Sequence, residues 1–533
     1  MISGIRYIFL KTWRSQFTVM LRWTFWFCAF LTTVNVTQPA ILPSGPNETE
    51  HTTGAMSIRL FEALADSIAP DSSGMGSLTS VELAQKMVPG WNVGNSLDAI
   101  GGETAWGNPL ISKRLIDSIK AAGFRSVRIP VAWSKFTDTS TYTIDTTWLA
   151  RVEQVVNYVL TDSMYAIINE HWDGGWQQPI RADSAYVNRR LGLMWKQIAV
   201  HFRDFGDHLL YAGLNEVMVT NNYNAPTAEY AAVQNSYNQT FVTTVRSTGG
   251  RNAYRYLLVQ GFNTNIDYTV SSLKIPTDVG PARLMVEVHY YDPYDFTINT
   301  GSSIIEWGMY AKDPAKTETW ANESYADGQF QKMKSKFIDK GYAVVLGEYG
   351  VIARLNLGTS LNATFASYRR YYMQYITRSL VRHGLVPIYW DNGGTGNFGL
   401  GIFNRTTGAR AYPDIVEALT DTNSVSPVLG IMQHRPGPDE FFLGQNFPNP
   451  FNPSTTIDYH LAADSHVTLK VFDVLGREVA TLADNKEGAG DHAVDFDGSG
   501  FASGVYFYRL QARQVEVGQN GSFTETRKLL LLR

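Results

Sequence analysis

Cysteine is almost absent from this sequence, since the 533 residues contain one, Cys28. A single cysteine cannot form an intramolecular disulfide or supply the thiolates of a structural zinc site, so neither holds the mature fold together. A charge excess is also missing, because 45 basic residues balance 49 acidic ones and the formal net charge is -4. Proteins that bind nucleic acids are usually basic, and we therefore expect no nucleic-acid partner.

Long apolar runs are lacking as well. The apolar segment near the start extends from Trp23 to about Val34, which is too short for a comfortable membrane span. Basic residues precede this segment and the small residue Ala40 follows it, so we predict a signal peptide over residues 1–40. An uncleaved anchor is the alternative. In either case we expect the body of the protein to work outside the cytoplasm.

Several motifs of other enzyme classes are absent. No Gly-rich phosphate loop follows the first predicted strand, and neither His-Glu-x-x-His nor Gly-x-Ser-x-Gly occurs. We therefore expect no metal site and no cofactor. Aromatic residues, in contrast, make up 13% of the chain, and flat rings can fill a core or stack against sugars.

The chain divides into segments that differ in composition and in the pattern of apolar residues. Residues 41–78, rich in Ser, Pro, Gly and Asp, predict a linker. Over residues 79–420, short apolar runs alternate with helical patterns, which favours a (β/α)8 barrel over a doubly wound sheet. The eight predicted strands are Trp91–Asn95, Ser126–Val131, Tyr165–His171, Leu209–Asn215, Tyr256–Gly261, Leu284–His289, Tyr342–Glu348 and Pro387–Asp391.

A second domain is predicted at the end of the chain. Residues 421–440 contain several Pro and Gly residues and read as a second linker. Residues 441–533 show short alternating strands, such as 467–472 and 504–510, separated by Gly, Asp and Asn turns. This pattern predicts a small antiparallel β-sandwich.

Two glutamates end predicted barrel strands, Glu216 after the fourth and Glu348 after the seventh. In a barrel, the carboxyl ends of the strands form the active-site face. Glycoside hydrolysis needs two carboxyl groups across the scissile bond, one protonated and one ionised. The strand positions alone leave a structural alternative open, namely a pair of buried, salt-bridged carboxylates.

Other strand ends carry residues that could support such chemistry. Arg128 can lower the pKa of a nearby carboxylate and orient it, and Asn215 can donate to a sugar hydroxyl. His171, His289 and Tyr291 also end strands, although each histidine alone is more often structural. Trp390 offers a flat face for a pyranose ring. The predicted extensions of this platform are Trp133, Trp172 and Trp176, with the alternative that about half of them only pack loops.

These segments resemble glycoside hydrolase family 5, most closely its bacterial endoglucanases. The matching segments are Gly90–Ala99, Trp106–Pro109, Val127–Val131, Ile167–His171, Gly213–Glu216, His289–Tyr294, Leu346–Gly350 and Trp390–Gly393. The resemblance implies a general acid/base at Glu216 and a nucleophile at Glu348. It also assigns supporting roles to Arg128, His171, Asn215, His289 and Tyr291, and substrate binding to Trp390 and Asn92.

The sequence departs from the family pattern at two places. His171 is followed by Trp172 and Asp173 where a second histidine is usual, and Val217 follows Glu216 where proline is common. The first departure could alter a substrate subsite, and neither changes the glutamate pair.

The tail resembles the immunoglobulin-like C-terminal sorting domain of the type IX secretion system. The resemblance rests on Gly444–Thr456, Val471–Gly476, Ser503–Tyr508 and Thr526–Arg533. It implies the type IX machinery as a partner and a protein that is secreted or attached to the cell surface.

Together these features predict a secreted, monomeric, retaining endo-β-1,4-glucanase. Its substrate would be a cellulose-type β-glucan. A β-mannanase, xyloglucanase or licheninase on the same fold is the alternative within the family. A glycan-binding protein without catalysis is the alternative from another class, and the intact glutamate pair argues against it.

Overall fold

The computed structural model describes residues 67–171, 174–280, 282–422, 441–444, 446, 449, 451–514 and 522–532. The predicted signal peptide, with Cys28, lies outside these residues. The first described domain is a closed barrel of eight parallel strands, as predicted. In barrel order these are β2 (Gly90–Val93), β3 (Ser126–Ile129), β4 (Tyr165–Asn169), β5 (Leu209–Ala212), β7 (Leu257–Gln260), β8 (Leu284–Tyr290), β9 (Ala343–Tyr349) and β10 (Val386–Asp391).

Helices between the strands cover the outside of the barrel. The helix over Lys113–Ala122 shows why they begin and end where they do, since the Ser112 side chain accepts the Leu115 N–H and Gly123 ends it with a φ of 110°. No helix among the described residues is long and apolar enough to cross a membrane. The helices are α1 (Ser80–Lys86), α2 (Lys113–Ala122), α3 (Thr146–Thr161), α4 (Arg181–His201), α5 (Ala228–Ser247), α6 (Ile266–Ser272), α7 (Tyr294–Thr297), α8 (Glu323–Lys336), α9 (Thr359–Arg382) and α10 (Pro413–Thr420).

The barrel has two apolar layers because successive strand residues point to opposite faces. Outward residues such as Val286 and Leu346 pack against the helices. Inward residues such as Met285 and Val345 pack with Leu83 of α1. This helix precedes the first barrel strand, so it closes the amino-terminal end of the barrel. The opposite end remains as the mouth.

Residues 67–78, which the sequence placed in a linker, contact the barrel. Strand β1 (Ile68–Pro70) pairs in parallel with β6 (Gly249–Gly250). The approach is close, because a Cβ on Gly249 would lie 1.7 Å from the carbonyl oxygen of Ile68. The hydroxyl of Tyr256 also donates to the carbonyl of Leu78. This segment therefore forms part of the base of the barrel rather than a free connection.

The C-terminal residues form two antiparallel sheets around a core of their own, in agreement with the predicted β-sandwich. One sheet has the order β11-β12-β15 and the other β14-β13-β16-β17. The strands are β11 (Phe442–Leu443), β12 (Ser454–Leu461), β13 (Ser465–Phe472), β14 (Glu478–Glu487), β15 (Gly490–Asp497), β16 (Gly504–Gln514) and β17 (Ser522–Leu531).

Candidate active site

Arg128 lies at the centre of a polar cluster in the mouth of the barrel. Its side chain is fully buried on β3. Nη1 donates to Glu348 Oε1 over 3.1 Å and to Asn92 Oδ1 over 3.0 Å, while Nη2 donates to Asn215 Oδ1 over 2.6 Å. The planar guanidinium holds these groups at fixed angles, as the single nitrogen of a lysine could not.

Glu348 receives a partner on each carboxylate oxygen. Arg128 donates to Oε1, and the Tyr291 hydroxyl donates to Oε2 over 3.3 Å. Burial raises the pKa of Glu348 to about 7, while the positive charges of His289 and Arg128 oppose that rise. Burial also raises the pKa of Tyr291 well above its usual range, so this phenol remains a donor.

Glu216 faces Glu348 across the mouth. Its side chain is 39% exposed, which leaves it accessible to a ligand. One oxygen of each carboxylate lies within 4.8 Å of the other. The backbone of Glu216 has a φ of 48°, a left-handed conformation that is uncommon for residues other than glycine and is found disproportionately at functional sites.

His289 bridges the two glutamates. Its Nδ1 lies 2.7 Å from Glu216 Oε1 and 3.7 Å from Glu348 Oε2. Burial alone lowers the pKa of this imidazole, but the surrounding carboxylates, with Glu348 foremost, raise it to about 9. The ring is therefore charged at neutral pH, and Nδ1 donates to Glu216.

His171 and Trp390 form a stacked pair on the other side of the mouth. Their ring centroids are 5.8 Å apart and their planes differ by 6°. Asn169 Oδ1 accepts the Val131 N–H, so its Nδ2 donates to Nδ1 of His171 and leaves the proton of the neutral ring on Nε2. Burial, with the charge of Arg128, lowers the pKa of His171 well below its usual value.

Trp390 can lie in this position because a glycine faces it. A Cβ on Gly94 would come within 2.6 Å of the Trp390 ring. The indole is only partly buried, so it keeps an accessible surface at the mouth.

Two residues predicted to bind substrate are instead buried supports. Asn92 is fully buried, and its amide donates to the carbonyl of Gly347 over 2.7 Å while its oxygen holds Arg128. Trp133 is also fully buried, and its Nε1 donates to the Asn169 carbonyl over 2.8 Å. Neither side chain has exposed surface that a ligand could touch, so the structure argues against their predicted contact with substrate.

Of the two other predicted platform residues, the structure describes Trp176 but not Trp172. Trp176 is partly buried, and the Arg190 guanidinium lies 4.2 Å from its ring centroid. Protein therefore covers one face of the Trp176 ring, and contact of the other face with sugar stays a prediction. Trp172 lies outside the described residues.

Two further residues of the cluster, Glu287 and Gln260, were not predicted from the sequence. Glu287 is fully buried on β8, with one carboxylate oxygen 2.8 Å from Arg128 Nε. Gln260 Nε2 donates to its other oxygen over 2.7 Å. The sequence spacing of Glu287 and His289 could have predicted Glu287, because residues two apart on a strand point to the same face.

Glu216, His289 and Glu348 also have a spacing that a metal ion could accept, with ligand atoms within 4.8 Å of one another. The donor set does not suit a cation at neutral pH, because Nδ1 of His289 carries the proton that it donates to Glu216 and a metal ligand nitrogen must be free of one. The positive charge of Arg128 beside Glu348 opposes a cation further.

The barrel and its polar cluster match a known enzyme family. The cellulase family, glycosyl hydrolase family 5, matches residues 92–396. The chain belongs to glycosyl hydrolase family 5. The match covers the barrel strands from β2 to β10, and the resemblance seen in the sequence is confirmed.

Curated and solved relatives of this family 5 hydrolase agree with the match. Endoglucanase A of Paenibacillus barcinonensis is 39% identical over 366 residues, which are 65% of this chain and 90% of the relative. A Bacteroides ovatus family 5 xyloglucanase, solved with a XXXG heptasaccharide, is 40% identical with a TM-score of 0.65, over 67% of this chain and 79% of that one. A broad-specificity endoglucanase from Bacteroides salanitronis is 37% identical with a TM-score of 0.61. The match covers 66% of this chain and 97% of that one.

These matches establish the predicted class of activity. The family 5 hydrolase is a retaining enzyme of the endoglucanase type. A secretion-system C-terminal sorting domain matches residues 445–520. The predicted type IX sorting domain is therefore confirmed, and it marks the protein as secreted or attached to the cell surface.

Proposed function

We propose that this enzyme cleaves internal β-1,4 bonds of cellulose-type glucans, with Glu348 as the nucleophile and Glu216 as the general acid/base. The separation of the two carboxylates carries the proposal. One oxygen of each lies within 4.8 Å of the other. This closeness fits the separation of roughly 5–5.5 Å between the carboxyl groups of retaining enzymes better than the roughly 6.5–9.5 Å that leaves room for water in inverting ones.

The partners of Glu348 support its assignment as the nucleophile. Arg128 and Tyr291 donate one hydrogen bond to each of its oxygens, which stabilises the ionised form and fixes its direction. Its side chain is 7% exposed, so the sugar and these donors, rather than bulk water, surround it during attack. Glu216, in contrast, is more exposed and can reach a leaving group.

The reaction then proceeds in two balanced steps. Glu348 attacks the anomeric carbon while Glu216 gives its proton to the departing glycosidic oxygen, which leaves a glycosyl ester on Glu348. In the second step Glu216 takes a proton from water, the resulting hydroxide attacks the same carbon, and Glu348 leaves as a carboxylate. Each step inverts the configuration of the anomeric carbon, so the two steps together retain it.

Three further side chains have groups that could bind the sugar. Asn215 gives its oxygen to Arg128, so its NH2 group remains to donate to a hydroxyl. The neutral His171 ring offers Nε2–H for the same purpose, and Trp390 offers a ring face. We propose these contacts for the sugar whose anomeric carbon reacts.

The nucleophile is tested with Glu348→Gln, which is nearly isosteric. We expect less than about 1% of wild-type turnover with an unchanged thermal transition, because a neutral amide cannot form the ester. A folded variant that keeps more than this fraction would remove Glu348 from the role.

The acid/base is tested with Glu216→Ala on two substrates. The variant should lose far more activity on a glucan than on an aryl glucoside with an acidic phenol, since a good leaving group needs little protonation. Azide should partly restore the aryl activity by replacing water in the second step. Equal losses without rescue by azide would contradict the assignment.

Xyloglucan is the second candidate substrate, favoured by the 40% identical Bacteroides ovatus xyloglucanase. Initial rates on carboxymethylcellulose, xyloglucan, lichenan and mannan, measured side by side, distinguish the candidates. We expect the highest kcat/KM on the unsubstituted β-1,4-glucan. A rate on xyloglucan several times higher would make the branched polymer the substrate, and a preference for mannan would exclude both.

We further propose that a monomer carries out this reaction, since every residue assigned to the chemistry comes from one barrel. Light scattering of the purified protein tests this point. The proposed domain limits are 79–420 for the barrel, with residues 67–78 packed against its base, 421–440 for a linker and 441–533 for the sorting domain. Residues 423–440 lie outside the described part of the chain.

A further inference from the structure

Glu287 is a third carboxylate in the cluster that no step of the reaction uses. It lies on β8 below His289 and is fully buried. One of its oxygens lies 2.8 Å from Arg128 Nε and 3.5 Å from His289 Nε2. Its other oxygen accepts from Gln260 over 2.7 Å. Glu287 therefore lies beside Arg128, which donates to Glu348, and beside His289, which contacts Glu216.

A β-bulge makes room for this carboxylate. In the pairing of β8 with β9, Val288 lies opposite Leu346 and His289 lies opposite Glu348, so Gly347 is an extra residue. Val345 faces the barrel interior and Leu346 faces the helices. Regular alternation would turn Gly347 inward and Glu348 outward, and the extra residue brings Glu348 inward as well.

The space left by the missing side chain of Gly347 is occupied by Glu287. A Cβ on Gly347 would lie 2.1 Å from Glu287 Oε1. One glycine thus turns Glu348 toward the mouth and also admits a second negative charge beside Arg128. An unpaired buried carboxylate would be costly, so its pairing with Arg128 and His289 is a specific arrangement.

Glu287 is ionised in this environment. Burial alone raises its pKa, but the charges of Arg128 and His289 and the hydrogen bond from Gln260 bring it below the usual range. Its negative charge in turn raises the pKa of Glu348 and of His289.

We propose that Glu287 is a positioning residue: its ion pair with Arg128 orients that guanidinium against Glu348, and its charge, 3.5 Å from Nε2 of His289, favours the protonated ring whose Nδ1 faces Glu216. The proposal rests on the roles given above to Glu348 and Glu216. Glu287 acts through its neighbours and does not touch the reacting sugar. Its charge also raises the pKa of Glu348 and so moves the pH range in which that carboxylate is ionised.

The sign of the pH effect follows from the groups that face one another here. Around Glu287 and His289 lie Arg128, Glu348, Glu216 and, on the far side, the neutral His171. Removing one negative charge favours the deprotonated form of every titrating neighbour. Both limbs of the bell-shaped pH profile of kcat/KM should therefore move to lower pH in a variant without this charge.

The test uses Glu287→Gln and Glu287→Asp in the full chain, assayed on soluble β-glucan from pH 4 to pH 10. The glutamine variant should lose about tenfold to a hundredfold in kcat, because a displaced Arg128 no longer aligns Glu348. Its two limbs should each move down by about one pH unit. The aspartate variant keeps the charge but is shorter, so its limbs should stay within about 0.3 unit while kcat falls.

Glu323→Gln is the matched control. Glu323 is also buried and accepts from the Tyr371 hydroxyl over 2.7 Å, but it lies on α8 in the outer layer. This variant should lower the melting temperature without moving either limb. It shows what the loss of a buried carboxylate does through stability alone.

The outcomes separate this inference from the proposed function. If the wild type hydrolyses glucan but the limbs of Glu287→Gln coincide with those of the wild type, the role of the charge is refuted. If Glu287→Asp keeps full kcat, the positioning role is refuted, and this arm remains decisive should the glutamine variant fail to fold. A wild type without glucanase activity would instead overturn the proposed function.

Discussion

Replacing Arg128 by lysine tests how much the fixed geometry of the guanidinium contributes to catalysis. Lysine keeps the positive charge but has one nitrogen in place of the separate nitrogens that hold Glu348 and Asn215. At least two hydrogen bonds that involve a charged group are lost. At about 1.5 kcal/mol each, these amount to about 3 kcal/mol. Because both partners are proposed to act on the reacting sugar, we expect kcat/KM to fall about 150-fold.

The assay is the initial rate on soluble β-glucan, with the melting temperature measured by circular dichroism on the same samples. Arg255→Lys is the control, because Arg255 is fully buried and donates to the Phe205 and Leu209 carbonyls at the opposite end of the barrel. It should lose stability but keep kcat/KM within about threefold. A folded Arg128→Lys enzyme within about fivefold of the wild type would refute the reasoning.

Three other predictions concern pH and the ends of the catalytic unit. Burial raises the pKa of Glu348 to about 7, and this residue must be ionised to act as the proposed nucleophile. We therefore expect kcat/KM to fall as the pH drops below 7, and an acidic limb near pH 4 would contradict this. A chain ending at Thr422 should fold and hydrolyse soluble glucan at close to the full rate, yet remain in the periplasm of its native host. Loss of activity would refute the boundary, and normal secretion would refute the sorting role. Removing residues 67–78 should lower the melting temperature by about 5 °C or more through lost hydrogen bonds at the base while leaving kcat unchanged. An unchanged melting temperature would show that this segment contributes nothing.

Much of the fold and the site could be predicted because the barrel strands carry two signals at once. Each is a short apolar run, and residues such as Arg128, His289 and Glu348 stand at or near its carboxyl end. In a parallel barrel these ends meet at one face, so one-dimensional positions become a three-dimensional cluster. The structure brings these three side chains together as this rule requires.

The errors arise where direction, rather than position, decides the contact. Trp133 follows a strand end, as a platform residue would, but the loop turns its ring into the core. Asn92 lies on a strand, and its side-chain oxygen accepts a hydrogen bond from Arg128. The inward turn of Glu348 depends on a bulge at Gly347, and an extra residue in one strand becomes visible only when its partner strand is known.

The arrangement around Arg128 has a consequence for the way activity returns during refolding. Its partners come from β2, β8, β9 and the loop after β5, and Arg128 itself lies on β3. A chain with all its helices formed but an open sheet would lack most of these contacts. We therefore expect turnover, after dilution from denaturant, to return with closure of the barrel and later than the helical signal.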